Sequence, residues 1–599
     1  KRQWYRYHHL FAEVLLAHLQ EAQPERVSML HLRASEWYER NGLRPDAIRH
    51  ALAAGDFERS AGLIELAGPW TEDGSIQQAI WLGWIKRLPE ELIRARPVLN
   101  VWYAYVLLGS GELEAAESRF GDAERWLESA DTLSAGVVVA DPKQFKFLPA
   151  TIAIGRAYIA QALGNIPDTV RYANQTLDLA PEGDNFRRAQ ASMMLGMTHW
   201  ASGGLEAADR VFAEYTMKLR TDGNIPDAIG TSVVLADIRL ALGHLHEAVD
   251  TLQQLLQFVM DQGEPIPLDV ADLHRDISKL HLEQGDLEAA AQHLQRGREL
   301  GEKAQYPVLR YRLRIDHARL KATQGDLEGA LAFLDEAQRL YIRSPLPDLY
   351  PISAMKARIW VAQGKLTKAL EWVREQGLSP DGALTFLHEF EHITLARILI
   401  AQYQIERVDG SIHKAIGLLE RLLHAAEEGK RMGSVIEIFA LQALAYQTQG
   451  DIASALMPLE RALTLAEPEG YVRIFLDEGK PMAELLGRMN ASPEGLTPRQ
   501  KTYVHKLLAA FGTEETHPSS PTPALRAGAS VLQPLIEPLS ENELEVLRLL
   551  RTELSGPEIA CQRMVSLSTI RTHTQHIYAK LGVNNRRAAV RRAGELGLL

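Results

Sequence analysis

The chain has 599 residues, a formal charge of −12, 46% apolar residues and 24% charged ones. Such a length exceeds one compact core and calls for several domains, and the acidic balance excludes a surface that wraps nucleic acid throughout. No apolar run reaches the roughly 18 residues that span a membrane, and the single cysteine, Cys561, rules out a disulfide framework within the chain and suits a reducing cytosol.

Residues 1–60 read as helical. Phe11, Leu15 and Leu19 recur at four-residue steps, Leu10 and Val14 widen that face, and Trp37, Tyr38, Ala47, Ile48 and Leu52 continue it until Gly55-Asp56. The cluster Trp4, Tyr5, Tyr7, His8, His9 and Phe11 admits a ligand box, but such clusters more often close a helical core. The chain opens at Lys1 inside what looks like a helix, so a segment is expected upstream.

From about residue 100 a phrase repeats: Gly, a polar residue, Leu or Ile, two loose positions, then Ala. It begins at Gly111, Gly203, Gly243, Gly285, Gly325, Gly364, Gly410 and Gly450, with a weaker copy at Gly164-Asn165-Ile166. The glycine ends one helix, the polar residue caps the next, and the small Ala lets the pair pack closely. One pair cannot bury its apolar face alone, so pairs stack into a solenoid. The spacing near 40 exceeds the roughly 34 of the commonest tetratricopeptide repeat, so longer helices or turns are expected.

Within the array, His388-Glu389-Phe390-Glu391-His392 is a literal H-E-x-x-H. On one continuous helix that spacing holds two imidazoles for zinc with Glu389 as base, the pattern of a metallopeptidase. The apolar residues Ile393, Leu395, Ile398 and Leu399 and the lack of an evident third ligand favour the polar face of a repeat helix, and no metal site is assigned. After Tyr471–Asp477 a helical pattern runs to Phe511, and residues rich in Pro, Ser, Thr, Gly and Ala then read as a linker.

The C-terminal segment reverses the charge: Arg563 to Arg592 holds seven Lys/Arg and no Asp/Glu. Four short helices are predicted. The first opens at a Ser540/Glu543 capping box, with Leu544, Leu547 and Leu550 inward; the second opens at Ser555/Glu558, with Ile559, Ala560 and Met564 inward. The third starts at Ser566 and buries Ile570, Thr574, Ile577 and Leu581, ending at Gly582; the fourth starts at Asn585, with Ala589, Ala593 and Leu596 inward. Helix, tight turn, helix places the third helix in a major groove. Arg571, Thr572 and Gln575 lie opposite Ile570 and Ile577 and suit base edges; Ser568, Thr569, His573, Lys580, Arg586 and Arg587 suit phosphates. The bland reading of the same residues is a solvated basic face. Cys561 reads as a small packing residue.

The string Leu539–Leu547, then Glu558-Ile559-Ala560, Thr569–His573 and Ile577–Val583, resembles LuxR-type helix-turn-helix domains in order and spacing. Trp4–Phe11, the repeats and Gly470–Gly479 are similar to the MalT-like branch of that family, so the resemblance covers nearly the whole chain. Glu553 stands where the family usually has Gly, Arg563 where it has a buried Leu, and Gly556-Pro557 where it has a polar pair.

The resemblance implies an all-α protein: a helical segment at 1–100 following a nucleotide-binding module, a tetratricopeptide-like superhelix at 101–511, a linker at 512–533 and a LuxR-type domain at 534–599. It implies a cytoplasmic, non-enzymatic transcriptional regulator, nucleoid-associated when bound to double-stranded DNA, and self-associating there. Its repeats would sense a small inducer or a protein partner. Base reading falls on Arg571, Thr572 and Gln575. No Gly-x-x-x-x-Gly-Lys-Ser/Thr loop occurs, so no cofactor is assigned to these residues and ATP is expected only for the upstream module. The competing expectation is a helical-repeat scaffold with a degenerate DNA-binding domain.

Overall fold

The computed structural model describes residues 14–15, 18–19, 21–68, 78–128, 138–263, 269–304, 307–407, 409–491, 496–515, 541–551, 559, 567–581, 583 and 586–595. Every regular element among them is helical. The chain divides into two units, Lys1–Ser519 and Ser520–Leu599. The aromatic and histidine cluster at Trp4–Phe11, most of the linker, and Glu553, Gly556-Pro557, Cys561 and Arg563 lie outside the described residues.

In the first unit the repeated phrase marks the hairpin between paired helices. Helices Pro142–Ala162 and Ile166–Leu179 pair in this way, as do Asn185–Ala201 with Leu205–Thr221, Ile225–Leu242 with Leu245–Asp261, and Val270–Glu283 with Leu287–Ala304. The pairing continues through Pro307–Thr323 with Leu327–Leu340, Ile352–Ala362 with Leu366–Glu375, Glu389–Glu406 with Asp409–Glu428, and Met432–Gln449 with Ile452–Ala466. The alanine closing the phrase is fully buried at Ala116, Ala208, Ala248, Ala290, Ala330, Ala369, Ala415 and Ala455. A larger side chain there would hold the two helices apart. Capping follows the sequence at Asn165, Asp286, Asp326 and Asp451, whose side chains accept backbone N–H bonds of 2.9–3.2 Å from the next helix.

One repeat departs from the pattern. Gly410 was expected to end a helix, yet it sits within Asp409–Glu428, and the left-handed residue is Arg407 at φ 56°.

The superhelix then folds back so that successive turns touch. Gly243 takes φ +90°, and a Cβ there would meet the Cβ of Met432 at 2.6 Å. At Gly285, φ +78°, a Cβ would meet Val472 Cγ1 at 2.7 Å. These glycines therefore do two things: they reverse the chain and admit the next turn at backbone distance. The seam is stitched by Val472 N–H to the Glu283 carbonyl at 2.8 Å and by the Tyr471 hydroxyl to the Leu240 carbonyl at 3.2 Å. Lys430 adds an ion pair with Glu206 at 2.7 Å.

At the N-terminal end, Asp56 caps helix Phe57–Leu66 after the left-handed Gly55. One apolar core runs from Ala47 to Ile159, across the boundary drawn at residue 100. Val14, Leu15 and Trp37, read as inward-facing, are exposed among the described residues; there, helix Pro24–Arg40 packs chiefly on Arg44–Ala54. Helix Pro498–Glu515 extends through residues 512–515, which composition had assigned to the linker.

Candidate nucleic-acid interface

The terminal unit contains helices Glu541–Leu550, Leu567–Leu581 and Arg586–Glu595. The second predicted helix is represented only by Ile559, helical and buried. Val546, Leu547 and Leu550 of the first helix, Ile559, Ile570 and Ile577 of the basic helix, and Ala589 and Ala593 of the last make one small core. Burying Ile570 and Ile577 fixes the rotation of helix Leu567–Leu581, since residues seven apart share a face. Thr574 is half-buried on that side, its hydroxyl donating to the Ile570 carbonyl at 2.8 Å.

That rotation leaves Thr572, Gln575 and His576 exposed, with Thr569 and His573 half-buried beside them. Arg571 lies in the helix between Ile570 and Thr572; its side chain, like those of Ser568 and Arg587, is outside the described set.

Two of the phosphate candidates are tied within the unit. Lys580 donates to Glu543 Oε2 at 2.9 Å, and His576 Nδ1 lies 3.7 Å from the other oxygen of that buried carboxylate. Arg586 Nε donates to the Leu550 carbonyl at 2.8 Å, so its guanidinium closes the C-terminal end of the first helix. Sequence reasoning missed both anchors. The Ser540/Glu543 capping box rests on Ser540, which lies outside the described residues; the Glu543 carboxylate also reaches the basic helix.

The first unit holds the second candidate site, a cavity of about 1440 Å³ inside the superhelix. Seven cationic and six anionic side chains line it. Most are locked together: Arg275 with Asp316 at 3.0 Å, Lys279 with Asp237, Arg319 with Glu283 at 3.2 Å, and Arg473 with Asp477. Arg397 bonds Glu478 at 2.5 Å, and both Arg358 and Arg397 reach Glu437 behind the wall at 2.8 Å. Burial alone would raise the Glu437 carboxyl, but the two guanidiniums outweigh it and hold it down at about 2. Arg358 also lies over the Phe390 ring at 3.7 Å, and Phe390 meets Tyr350 edge-on at 5.0 Å.

The H-E-x-x-H string is used structurally. Phe386–His388 is a 3-10 turn and the α-helix begins only at Glu389, so the two histidines do not project from one helix. Glu389 is buried and held by Arg431 at 2.6 Å and Ser434 at 2.5 Å, while His392 Nδ1 meets the His388 carbonyl at 2.8 Å. Among the described residues no cluster of three or more His, Cys, Asp or Glu is arranged to hold a metal.

A closed superhelix of helical hairpins, with a separate small helical unit baring a polar edge on its basic helix, defines the class: tetratricopeptide-like repeats joined to a helix-turn-helix domain. Residues 150–492 match the family model for the MalT-like TPR region, and residues 537–593 match bacterial regulatory proteins of the luxR family. The chain belongs to the MalT-like family of LuxR-type proteins. The HTH-type transcriptional regulator MalT of Yersinia enterocolitica is 24% identical over 607 residues, covering 99% of this chain and 64% of that protein. Its counterpart in Yersinia pestis matches with the same identity and coverage. The chain thus spans less than two thirds of the length of these relatives. Among solved structures, a Rap protein complexed with competence and sporulation factor matches 62% of this chain and 98% of its own at 14% identity and a TM-score of 0.42, a likeness that carries no inference. No helix among the described residues is long and apolar enough to cross a membrane.

Proposed function

We propose that this chain is the sensing and DNA-reading portion of a transcriptional regulator. Helix Leu567–Leu581 enters a major groove; Arg571, Thr572 and Gln575 read base edges, while Ser568, Thr569, His573 and Arg587 approach phosphates. The observation that carries this is the exposure of Thr572 and Gln575 on a helix seated by buried Ile570 and Ile577, in a segment of the luxR family. Lys580 and Arg586 serve partly as internal anchors, given their bonds to Glu543 and Leu550. The repeats sense an inducer or partner inside the superhelix, supported by the cavity and its charged lining. The DNA-reading part is 534–599, the repeats before it are the sensing part, and the chain performs no catalysis. The relatives named as transcriptional regulators support this reading. Copies pair on adjacent half-sites, the usual solution for helix-turn-helix proteins.

Selection of bound sites from random double-stranded DNA with the full chain tests it. Recovery of a recurring motif that loses its preference at one base position with Arg571→Ala is the expected outcome. Enrichment of no motif, together with no salt-dependent retention of DNA, would return the chain to the scaffold reading.

A further inference from the structure

Between helices Leu327–Leu340 and Ile352–Ala362 the chain leaves the helical array, and most of this non-helical segment, from Tyr341 to Tyr350, lines the superhelix cavity. Its side chains touch helices far apart in the sequence. Tyr341 meets Tyr311 at 5.5 Å between ring centroids. Ile342 lies against the turn after helix Pro97–Gly109: a Cβ on Gly111, at φ +78°, would stand 2.7 Å from Ile342 Cγ2 and 3.7 Å from the Arg343 nitrogen. Leu346 and Leu349, both half-buried, pack against the apolar cluster that holds Met194, Trp200 and Ile238. Tyr350 meets Phe390 edge-on at 5.0 Å, and Lys279 and Arg319 each lie 5.9 Å from its ring centre.

Side-chain burial is what holds this segment. Among the described residues no side chain of 341–351 makes a hydrogen bond or an ion pair, and the backbone N–H groups bond only locally, Tyr341 to the Gln338 carbonyl at 3.4 Å and Leu349 to the Pro347 carbonyl at 3.1 Å. Pro345, Pro347 and Pro351 have no N–H to offer. The segment therefore leaves its place without breaking a hydrogen bond to the helices around it, which puts it at the low-stability end of the unit. The prolines also narrow its freedom when released, so an extended chain of this kind seats at a small entropic cost. We infer that residues 341–351 are a releasable strap that stands in for a partner: the groove beneath it takes an extended, proline-interrupted segment of another protein, with two leucines three positions apart and a tyrosine after the second, and that segment displaces the strap. The strap itself shows the chemistry that fits, an apolar floor under the leucines and, for the tyrosine, a ring edge with two cations. This names the partner class for the sensing role proposed above and so rests on it.

The test uses the full chain and a variant in which residues 341–351 are replaced by a glycine-serine segment of the same length. The probe is a fluorophore-labelled peptide of residues 341–351, blocked at both ends, and binding is read by fluorescence anisotropy. The variant should bind it, and the parent, whose tethered strap competes from within the chain, should bind at least about tenfold more weakly. A peptide with serine in place of both leucines should bind neither. Leu346→Ser with Leu349→Ser in the otherwise intact chain gives a second reading that keeps the strap's length. That double variant should also bind the peptide more tightly than the parent, and trypsin should cut it after the exposed Arg343 at least about tenfold faster, with its other sites unchanged. No binding to a strap-replaced chain that keeps the parent's helical circular dichroism overturns the inference. So does equal affinity in parent and variants, or an unchanged rate of cutting after Arg343. Peptide binding by a chain that selects no DNA would sustain the groove and remove the regulator reading instead.

Discussion

Lys580 is joined to Glu543 by a 2.9 Å bond that ties the basic helix to the first helix of the terminal unit. The carboxylate is almost fully buried and the ammonium about one quarter exposed, so the pair is a partly desolvated link rather than a surface contact. Glu543→Gln should lower the stability of this unit by about 1–3 kcal/mol, because Lys580 loses its counter-charge but can rehydrate. DNA affinity should fall for all sequences without a change in base preference. Denaturant unfolding of the full chain, with binding measured on two unrelated duplexes, checks both outcomes.

Glu389 makes the corresponding case in the repeat unit. It looks like the base of a zinc peptidase in the sequence and is a buried partner of Arg431 in the fold. Glu389→Ala strands a buried guanidinium and should cost about 3–5 kcal/mol. Metal analysis of the purified parent should find no stoichiometric zinc lost on changing His388 and His392. Zinc at one per chain, lost in that double variant, would revive the peptidase reading.

Gly243 tests the seam between turns. Gly243→Ala imposes both a left-handed backbone cost and a clash with Met432, since the added Cβ would stand 2.6 Å from another Cβ. A loss of roughly 1–3 kcal/mol is expected, with faster amide exchange at Tyr471 and Val472 on the other side of the seam. Gly325→Ala is the control: the backbone is left-handed there too, at φ +78°, but nothing lies within 4 Å of the added Cβ. It should pay only the backbone cost, with exchange at Tyr471 unchanged.

Glu437 sets a pH dependence. Its carboxyl is held at about 2 in the fold, against 4.5 for an ordinary glutamate. A depressed carboxylate contributes its full stabilisation above the unfolded value and loses it as pH falls through the folded one. Its contribution, on the order of 3 kcal/mol, should therefore be intact at pH 6 and decline between about 4.5 and 2. Burial raises the neighbouring Glu478, which works in the opposite direction, so the relevant quantity is the difference between parent and Glu437→Gln. That difference in urea midpoint should be large at pH 6 and shrink toward pH 3. A constant difference would mean that Arg358 and Arg397 do not govern this carboxyl.

Local signals carried most of the architecture. Gly, cap, Leu and Ala occupy fixed offsets within each hairpin, so their meaning is readable without distant contacts, and the buried alanines bear this out. Arg407 escaped because a left-handed arginine has no sequence signature, while the nearby Gly410 has a strong one. The seam escaped for another reason: Tyr471 meets Leu240 across 231 positions, and no periodicity encodes that separation. In the terminal unit the 3.6-residue period placed Ile570 and Ile577 inward and Thr572 and Gln575 outward. It did not distinguish a cation facing solvent from one folded onto a carboxylate, so Lys580 read as free to meet phosphate. The cavity was invisible, because its wall draws side chains from repeats far apart in the chain.

The most direct measurement is the affinity of the full chain for its selected DNA site and for single-base variants of that site, compared between parent and Arg571→Ala at two salt concentrations. A loss of roughly 1–3 kcal/mol on the selected site and relaxed preference at one base position are expected. Unchanged affinity and unchanged preference would contradict the assignment of this helix to base reading.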